Sequence, residues 1–296
     1  MKDLFKMLRV KHYLKNFLVF LPLVFSTQLL NKDKLIATTI GTITFCFLAS
    51  AIYIINDIRD IEKDKKHPIK KDRPIASGRI SKKVAICISI VLIVLCLVLN
   101  WLMFYTGKIN DTQLMFGVAI ELLYLVINIF YSFGLKNVII LDVSIIVLGF
   151  LLRVLYGTSI TDIAISNWLY LTIMSGAFYM GFGKRRNEFV KSGDKSRTVL
   201  KGYNKEFLDK FMYICLVLSV VFYSLWCIDS VTISRVGNNY LIYTVPFLLI
   251  ILMKYSLDTE LEESFGDPVD VILNDKILML LVFLFALVIL GIIYIF

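Results

Sequence analysis

Long apolar runs separated by short polar blocks dominate this chain. They fall at roughly 17–31, 35–56, 84–105, 112–133, 138–157, 166–182, 208–228, 239–254 and 277–296. Crossing a bilayer core takes about 20 apolar residues at 1.5 Å each, and a backbone in lipid must satisfy its own hydrogen bonds. The pattern predicts an all-α, polytopic membrane protein of nine transmembrane helices in a single domain, 1–296. Ahead of the first run, Leu4, Phe5 and Leu8 share one side of a helix while Lys2, Lys6 and Arg9 lie elsewhere. That arrangement predicts an interfacial amphipathic segment over 1–16, resting on an anionic leaflet.

Composition agrees with the pattern. The chain is 58% hydrophobic and 19% charged, where a soluble domain carries about 25% charged residues. With nine spans and the N-terminus inside, the inner segments are 1–16, 57–83, 134–137, 183–207 with Lys210, and 254–276. They hold 27 of the 32 Lys and Arg residues; the outer segments hold four, and Arg153 lies within a span. This asymmetry places the N-terminus and the loops 57–83, 134–137, 183–207 and 254–276 on the cytoplasmic side of the plasma membrane. The net charge of +9 is then a topology signal, and no nucleic-acid partner is needed to explain it. The basic N-terminus precedes a run with no small-residue cleavage site, unlike a cleavable signal. All five cysteines sit in apolar runs with no CxxC, and there are two histidines, which excludes a zinc pattern.

The candidate chemistry begins where the second run ends, at Asn56-Asp57-Ile58-Arg59-Asp60-Ile61-Glu62-Lys63-Asp64. Spacings of three and seven put Asp57, Asp60 and Asp64 on one helical face with Asn56 at its edge. Three carboxylates together are unfavourable unless a cation lies among them. Oxygen donors of this kind suit Mg²⁺, which keeps several waters and shares its other positions with phosphates. Alternatively, Arg59 and Lys63 neutralise the acids on a solvated helix end. The following stretch, His67-Pro68-Ile69-Lys70-Lys71-Asp72-Arg73-Pro74-Ile75-Ala76-Ser77-Gly78, predicts an ordered loop. Its Lys70 and Arg73 are suited to phosphate oxygens.

NDxxDxxxD at the end of the second helix, followed by RPIASG, resembles the UbiA superfamily of membrane prenyltransferases. The resemblance implies a nine-helix bundle around a lipid-accessible cavity, capped by cytoplasmic loops. Members using prenyl diphosphates carry a second aspartate-rich motif between helices six and seven; here Gly183-Lys184-Arg185-Arg186-Asn187-Glu188 stands in its place. That pattern is similar to the decaprenyl-phosphate phosphoribosyltransferase branch. The stretches carrying the similarity are Arg9 to Asn16 (RVKHYLKN), HPIKKDRPIASG, Tyr131 to Lys136 (YSFGLK) with Asp142, GKRRNE, and Gly266-Asp267-Pro268. Val10 and Tyr13 depart from the proline and tryptophan of that branch.

The resemblance implies a Mg²⁺-dependent transfer of 5-phosphoribosyl from phosphoribosyl diphosphate to a polyprenyl phosphate, with diphosphate leaving. On this reading Asn56, Asp57, Asp60 and Asp64 hold the metal, with Asp57, Asp60 and Asp142 as catalytic residues. Lys70, Arg73, Lys184 and Arg185 bind phosphates, while Lys15 and Lys136 position the lipid phosphate. Asn16, Tyr131 and Glu188 complete the substrate-binding set, Glu188 toward a hydroxyl or an arginine. Asp142, an ionisable residue inside a span, is a functional candidate by default; it could equally pair with Lys136. Arg153 is expected to pair with Glu121, and Asp258, Glu260, Glu262 and Glu263 to form a solvated acidic face. Two other functions fit less of the pattern: a prenyltransferase acting on a prenyl diphosphate and a small acceptor, and a transporter. Transporters often show inverted repeats and broken midplane helices, and neither is visible here. A homo-oligomer is left open.

Overall fold

A computed structural model of the chain describes residues 2–66, 70–192, 198–260 and 268–296. The described residues are helices and turns, with no strand among them. Among the described residues, seven helices are long and apolar enough to cross a membrane. They are α3 (Lys32–Arg59), α5 (Lys82–Tyr105), α6 (Asp111–Phe133), α7 (Leu141–Thr161), α9 (Lys205–Ile228), the Tyr240–Glu260 helix, whose α-helical part is α11 (Val245–Glu260), and α13 (Lys276–Tyr294); the short α10 (Ser230–Val236) and α12 (Pro268–Asn274) precede the last two. At 24 residues, α5 is about 36 Å long, enough for a hydrocarbon core of about 30 Å. Its outward side chains, Val84, Ile90, Val94, Leu97 and Trp101 among them, are exposed, as lipid-facing positions are. The chain is a multi-pass membrane protein.

Two of the nine expected spans differ. The run 17–31 is not a long α-helix: a 3-10 helix over Val10–Phe20 passes into the four-residue α2, Leu21–Val24. Thr27 then adopts a positive φ of 63°, which a regular helix does not accommodate. The run 166–182 lies in α8 (Asn167–Ser192), which has 26 residues. It continues through the polar block 183–188, so that block is helical and not a loop.

Residues cluster into two compact units. The first comprises Met1–Leu23, Leu30–Ser132 and Arg153–Ile163. In it α1 (Lys2–Leu8), the 3-10 helix and α5 all pack on α3. Met7, Ala51, Ile54, Ile75, Ala85 and Leu92 form an apolar core there. Asn31 caps α3 by accepting from the Asp33 and Lys34 N–H groups, both at 3.1 Å, supplying partners the first turn lacks. Gly157 lets α7 approach the 3-10 helix: a Cβ there would stand 2.1 Å from the Val19 carbonyl oxygen.

The second unit comprises Val24–Leu29, Phe133–Leu152 and Ala164–Phe296. Here α8 packs on α9 and α11 on α13. Val143, Val147, Phe182, Leu208, Met212 and Leu278 are buried in its core. Asn204 caps α9 by accepting from Phe207 N–H at 2.7 Å, and Asp275 caps α13 by accepting from Leu278 N–H at 2.7 Å. Both helices thus start where an oxygen-bearing side chain precedes an apolar run.

Candidate active site

In the first unit, α3 ends at Arg59, and Asp60 forms a break before the short α4 (Ile61–Lys65). The acidic motif is therefore not one continuous helical face. Asp57 closes α3 and Asp64 lies in α4, yet both are buried, at 4% and 3% exposure. Arg73 joins them: its Nη1 donates to Asp57 Oδ1 at 3.0 Å and to Asp64 Oδ2 at 2.7 Å. A second guanidinium arrives from the N-terminal segment, Arg9 Nη2 donating to the same Asp57 oxygen at 2.6 Å. Asp60, at the break, is half-buried. Asn56 Oδ1 accepts from Ser132 of α6.

The N-terminal segment is fastened to this motif at several points. Lys6 Nζ donates to the Asp72 carbonyl at 2.9 Å, and Arg79 Nε pairs with Asp3 at 2.9 Å. Arg9 itself has φ 54° and ψ 46° and lies 4.6 Å from the centre of the Tyr53 ring. A non-glycine residue in the left-handed region is uncommon, and here it ends α1 and turns the guanidinium onto Asp57. Arg9 was not singled out from the sequence as a site residue, although it opens the RVKHYLKN stretch.

The donor set suits a hard divalent cation. Oxygens from Asp57 and Asp64 lie within about 6 Å of each other, since one Arg73 nitrogen bonds both. They already share a single positive centre, and carboxylate oxygen is the ligand type Mg²⁺ takes. Among the described residues no three His, Cys, Asp or Glu side chains form a cage. Water and phosphate oxygens would complete the shell, as Mg²⁺ sites commonly require.

The second unit holds a different cluster. Asp142, the second residue of α7, is fully buried at 0%, and Arg185 of α8 is 1% exposed. Arg185 Nε donates to Asp142 Oδ2, and its Nη1 donates to Glu188 Oε2 at 2.8 Å. Asp142 Oδ1 accepts from the Tyr203 hydroxyl at 2.7 Å. The partner of Asp142 is thus Arg185 and not the nearby Lys136. A helical 183–188 explains this, because it carries Arg185 inward on a buried face while Lys184 on the next position stays half-buried. Arg186 pairs with Asp209 at 2.8 Å. Burial and the bond to Asp142 push the Tyr203 phenol above its ordinary pKa, so it stays protonated. Nothing in the spacing of the sequence marked Tyr203.

Other expected site residues occupy varied places. Lys15, Lys70, Tyr131 and Lys136 are half-buried. Asn16 is buried in the first unit, where its Oδ1 accepts from Arg153 Nε at 2.7 Å and its Nδ2 donates to Cys46 Sγ at 3.1 Å. Arg153 also donates to the Tyr124 hydroxyl at 2.8 Å and sits over the rings of Phe45 and Tyr124. The expected Arg153–Glu121 pair is absent among the described residues; Glu121 instead accepts from Asn100 at 2.8 Å. Neutral amides reach each buried charge at shorter range than the two charges reach one another. Asp258 is buried and paired with Lys254, which also binds Asp275 at 2.7 Å, so it is no part of a solvated face. His67, Pro68, Ile69, Glu262, Glu263, Gly266 and Asp267 lie outside the described residues.

Comparison with known proteins places these clusters in a family. The UbiA prenyltransferase family model matches residues 17–264. A decaprenyl-phosphate phosphoribosyltransferase of Corynebacterium glutamicum is 34% identical over 93% of this chain and 82% of its own length. One from Mycolicibacterium smegmatis is 30% identical over 94% of this chain and 88% of its own. Among solved structures, a UbiA homologue from Archaeoglobus fulgidus bound to DMAPP and Mg²⁺ has a TM-score of 0.67. That match is 20% identical and covers 99% of both chains, which establishes a shared fold. On the family model and these relatives, the chain belongs to the UbiA prenyltransferase family.

Proposed function

We propose that this chain, as one UbiA-like domain over 1–296, transfers 5-phosphoribosyl from phosphoribosyl diphosphate to a polyprenyl phosphate. One observation carries the choice of donor. Where a second aspartate motif would serve a prenyl diphosphate, α8 presents Lys184, Arg185 and Arg186. The relatives at 30–34% identity over more than nine-tenths of the chain support the same choice.

In the reaction the C1–O bond to diphosphate breaks, and diphosphate departs with the electron pair. A lipid phosphate oxygen forms the new bond to C1. That oxygen is already an anion near neutral pH, so no strong base is required. Negative charge grows on the leaving diphosphate, and fixed cations in a preorganised site stabilise it best. Asn56, Asp57, Asp60 and Asp64 would hold Mg²⁺, some through water; bound there, the ion neutralises diphosphate oxygens. Arg73 and Lys70 supply guanidinium and ammonium groups to the phosphates, and Arg9 restrains Asp57. On this reading Lys184 and Arg185 serve the phosphates from α8, Arg185 being oriented by its bonds to Asp142 and Glu188. Lys15, Lys136, Asn16 and Tyr131 belong to the lipid-phosphate side of this assignment, Asn16 acting through Arg153. The excess of Lys and Arg in the inner segments supports a cytoplasmic N-terminus in the plasma membrane.

A second reading, prenyl transfer from a prenyl diphosphate, is favoured by the family as a whole. Diphosphate release decides between them. Purified protein in detergent with Mg²⁺ is given polyprenyl phosphate with phosphoribosyl diphosphate, or a prenyl diphosphate with candidate acceptors. Release that needs phosphoribosyl diphosphate and lipid phosphate together is the expected result. Release only from the prenyl diphosphate overturns the assignment.

A further inference from the structure

The turn that opens α7 is strained. Ile140 has φ +70°, a conformation that a β-branched residue rarely adopts. Such strain persists only where the surroundings fix it, and it gathers at functional sites. Here the fixing group is Tyr203. The Ile140 N–H donates to its hydroxyl at 2.7 Å, and that hydroxyl donates to Asp142 Oδ1 at 2.7 Å. One phenol therefore joins the strained turn to a fully buried carboxylate. The segment that carries it is pressed against the same turn: a Cβ on Gly202 would stand 2.1 Å from Ile139 Cδ1. With Oδ1 taken by Tyr203, the remaining Asp142 oxygen is directed at Arg185 Nε, and Glu188 holds Nη1 of the same guanidinium.

Resting on the transferase reading, we infer that Tyr203 is a positioning residue that fixes Asp142, and through it Arg185, in the geometry used for transfer. It touches no substrate. Its hydroxyl acts as an acceptor toward the strained backbone and a donor toward the carboxylate, and phenylalanine keeps the ring while removing both roles.

The test uses the full chain in detergent with Tyr203→Phe. A fall in kcat on the order of 10-fold is expected, as for partners that orient a functional side chain. The KM for the lipid phosphate should stay within about twofold, because the proposal leaves its binding groups in place. Amide exchange over 138–142 should quicken as the Ile140 N–H loses its acceptor. Tyr179→Phe is the control; it loses a comparable hydrogen bond, to Ser256 at 2.5 Å, and should keep parental kcat. Parental kcat in Tyr203→Phe overturns the proposal whatever its melting temperature. So does an equal loss in Tyr179→Phe, which would mean general softening. If the parent consumes only a prenyl diphosphate, the pentosyl assignment falls, and the same comparison is scored on that donor. No turnover of either donor by the parent overturns both.

Discussion

Replacing Arg185 with methionine keeps most of the aliphatic stem and removes the guanidinium. In the parent that group bonds Asp142 and Glu188, with Arg185 at 1% and Asp142 at 0% exposure. Removing one partner of a buried pair costs about 3–5 kcal/mol, because the other charge is left without compensation. Asp142 and Glu188 each lose the guanidinium, but Glu188 is 17% exposed and water takes the vacated position, so the same range holds. At about 2–4 °C per kcal/mol for large domains, the melting temperature should fall by on the order of 10 °C. Thermal unfolding of the purified variant in detergent, followed by tryptophan fluorescence, measures this. Adding Asp142→Leu to Arg185→Met should recover more than half of the loss, since an apolar pair of similar volume often replaces a buried ion pair without penalty. The Tyr203 hydroxyl, then without its acceptor, accounts for the remainder. Parental melting in Arg185→Met would refute the buried-pair argument and return Arg185 to a purely phosphate-binding role, seen as a raised donor KM. A double variant whose loss equals the sum of the two single losses would also refute it.

Asp57→Asn should lower Mg²⁺-dependent diphosphate release by about 10²–10³-fold, the scale of one preorganised electrostatic group, while the protein still inserts; full activity would refute the metal assignment. Gly157→Ala drives a methyl to 2.1 Å from the Val19 carbonyl and should destabilise the fold by about 1–3 kcal/mol, read as a lower melting temperature. Asp275 is held below the ordinary carboxylate pKa by its bond to Lys254 and by capping α13. Its stabilising effect is therefore present above about pH 4, the unfolded value, and is lost as pH falls through the depressed folded value. Asp275→Asn keeps the cap and should melt below the parent at neutral pH, with the gap closing on acidification. A gap that persists in acid would mean that the charge on Asp275 contributes nothing.

Much of this protein is legible in the order of its residues. Apolar runs of spanning length are a local property, and lipid allows a single run no structure except a helix. Seven of the nine runs accordingly reappear as long apolar helices. The acidic motif and the basic 184–186 block are equally local, since residue type and spacing alone mark Asp57, Asp64, Arg73 and Arg185 as chemically capable. The same local reading does not foresee the form of the run 17–31, where a 3-10 helix, the four-residue α2 and a positive φ at Thr27 stand in place of one regular α-helix. It also treated 183–188 as a loop, because charge is a stronger local signal than helix continuity.

Partner choice was decided only in three dimensions. Arg9 meets Asp57 across 48 residues, Arg185 meets Asp142 across 43, and Tyr203 meets Asp142 across 61. A sequence reports which side chains carry charge, but a buried charge takes whatever partner the packing brings within about 3 Å. That is why Asp142 pairs with Arg185 and not with Lys136, and why Asn16 serves Arg153. The strain at Ile140 and the close approach at Gly202 arise in the same way, from segments far apart in the chain being packed against one another.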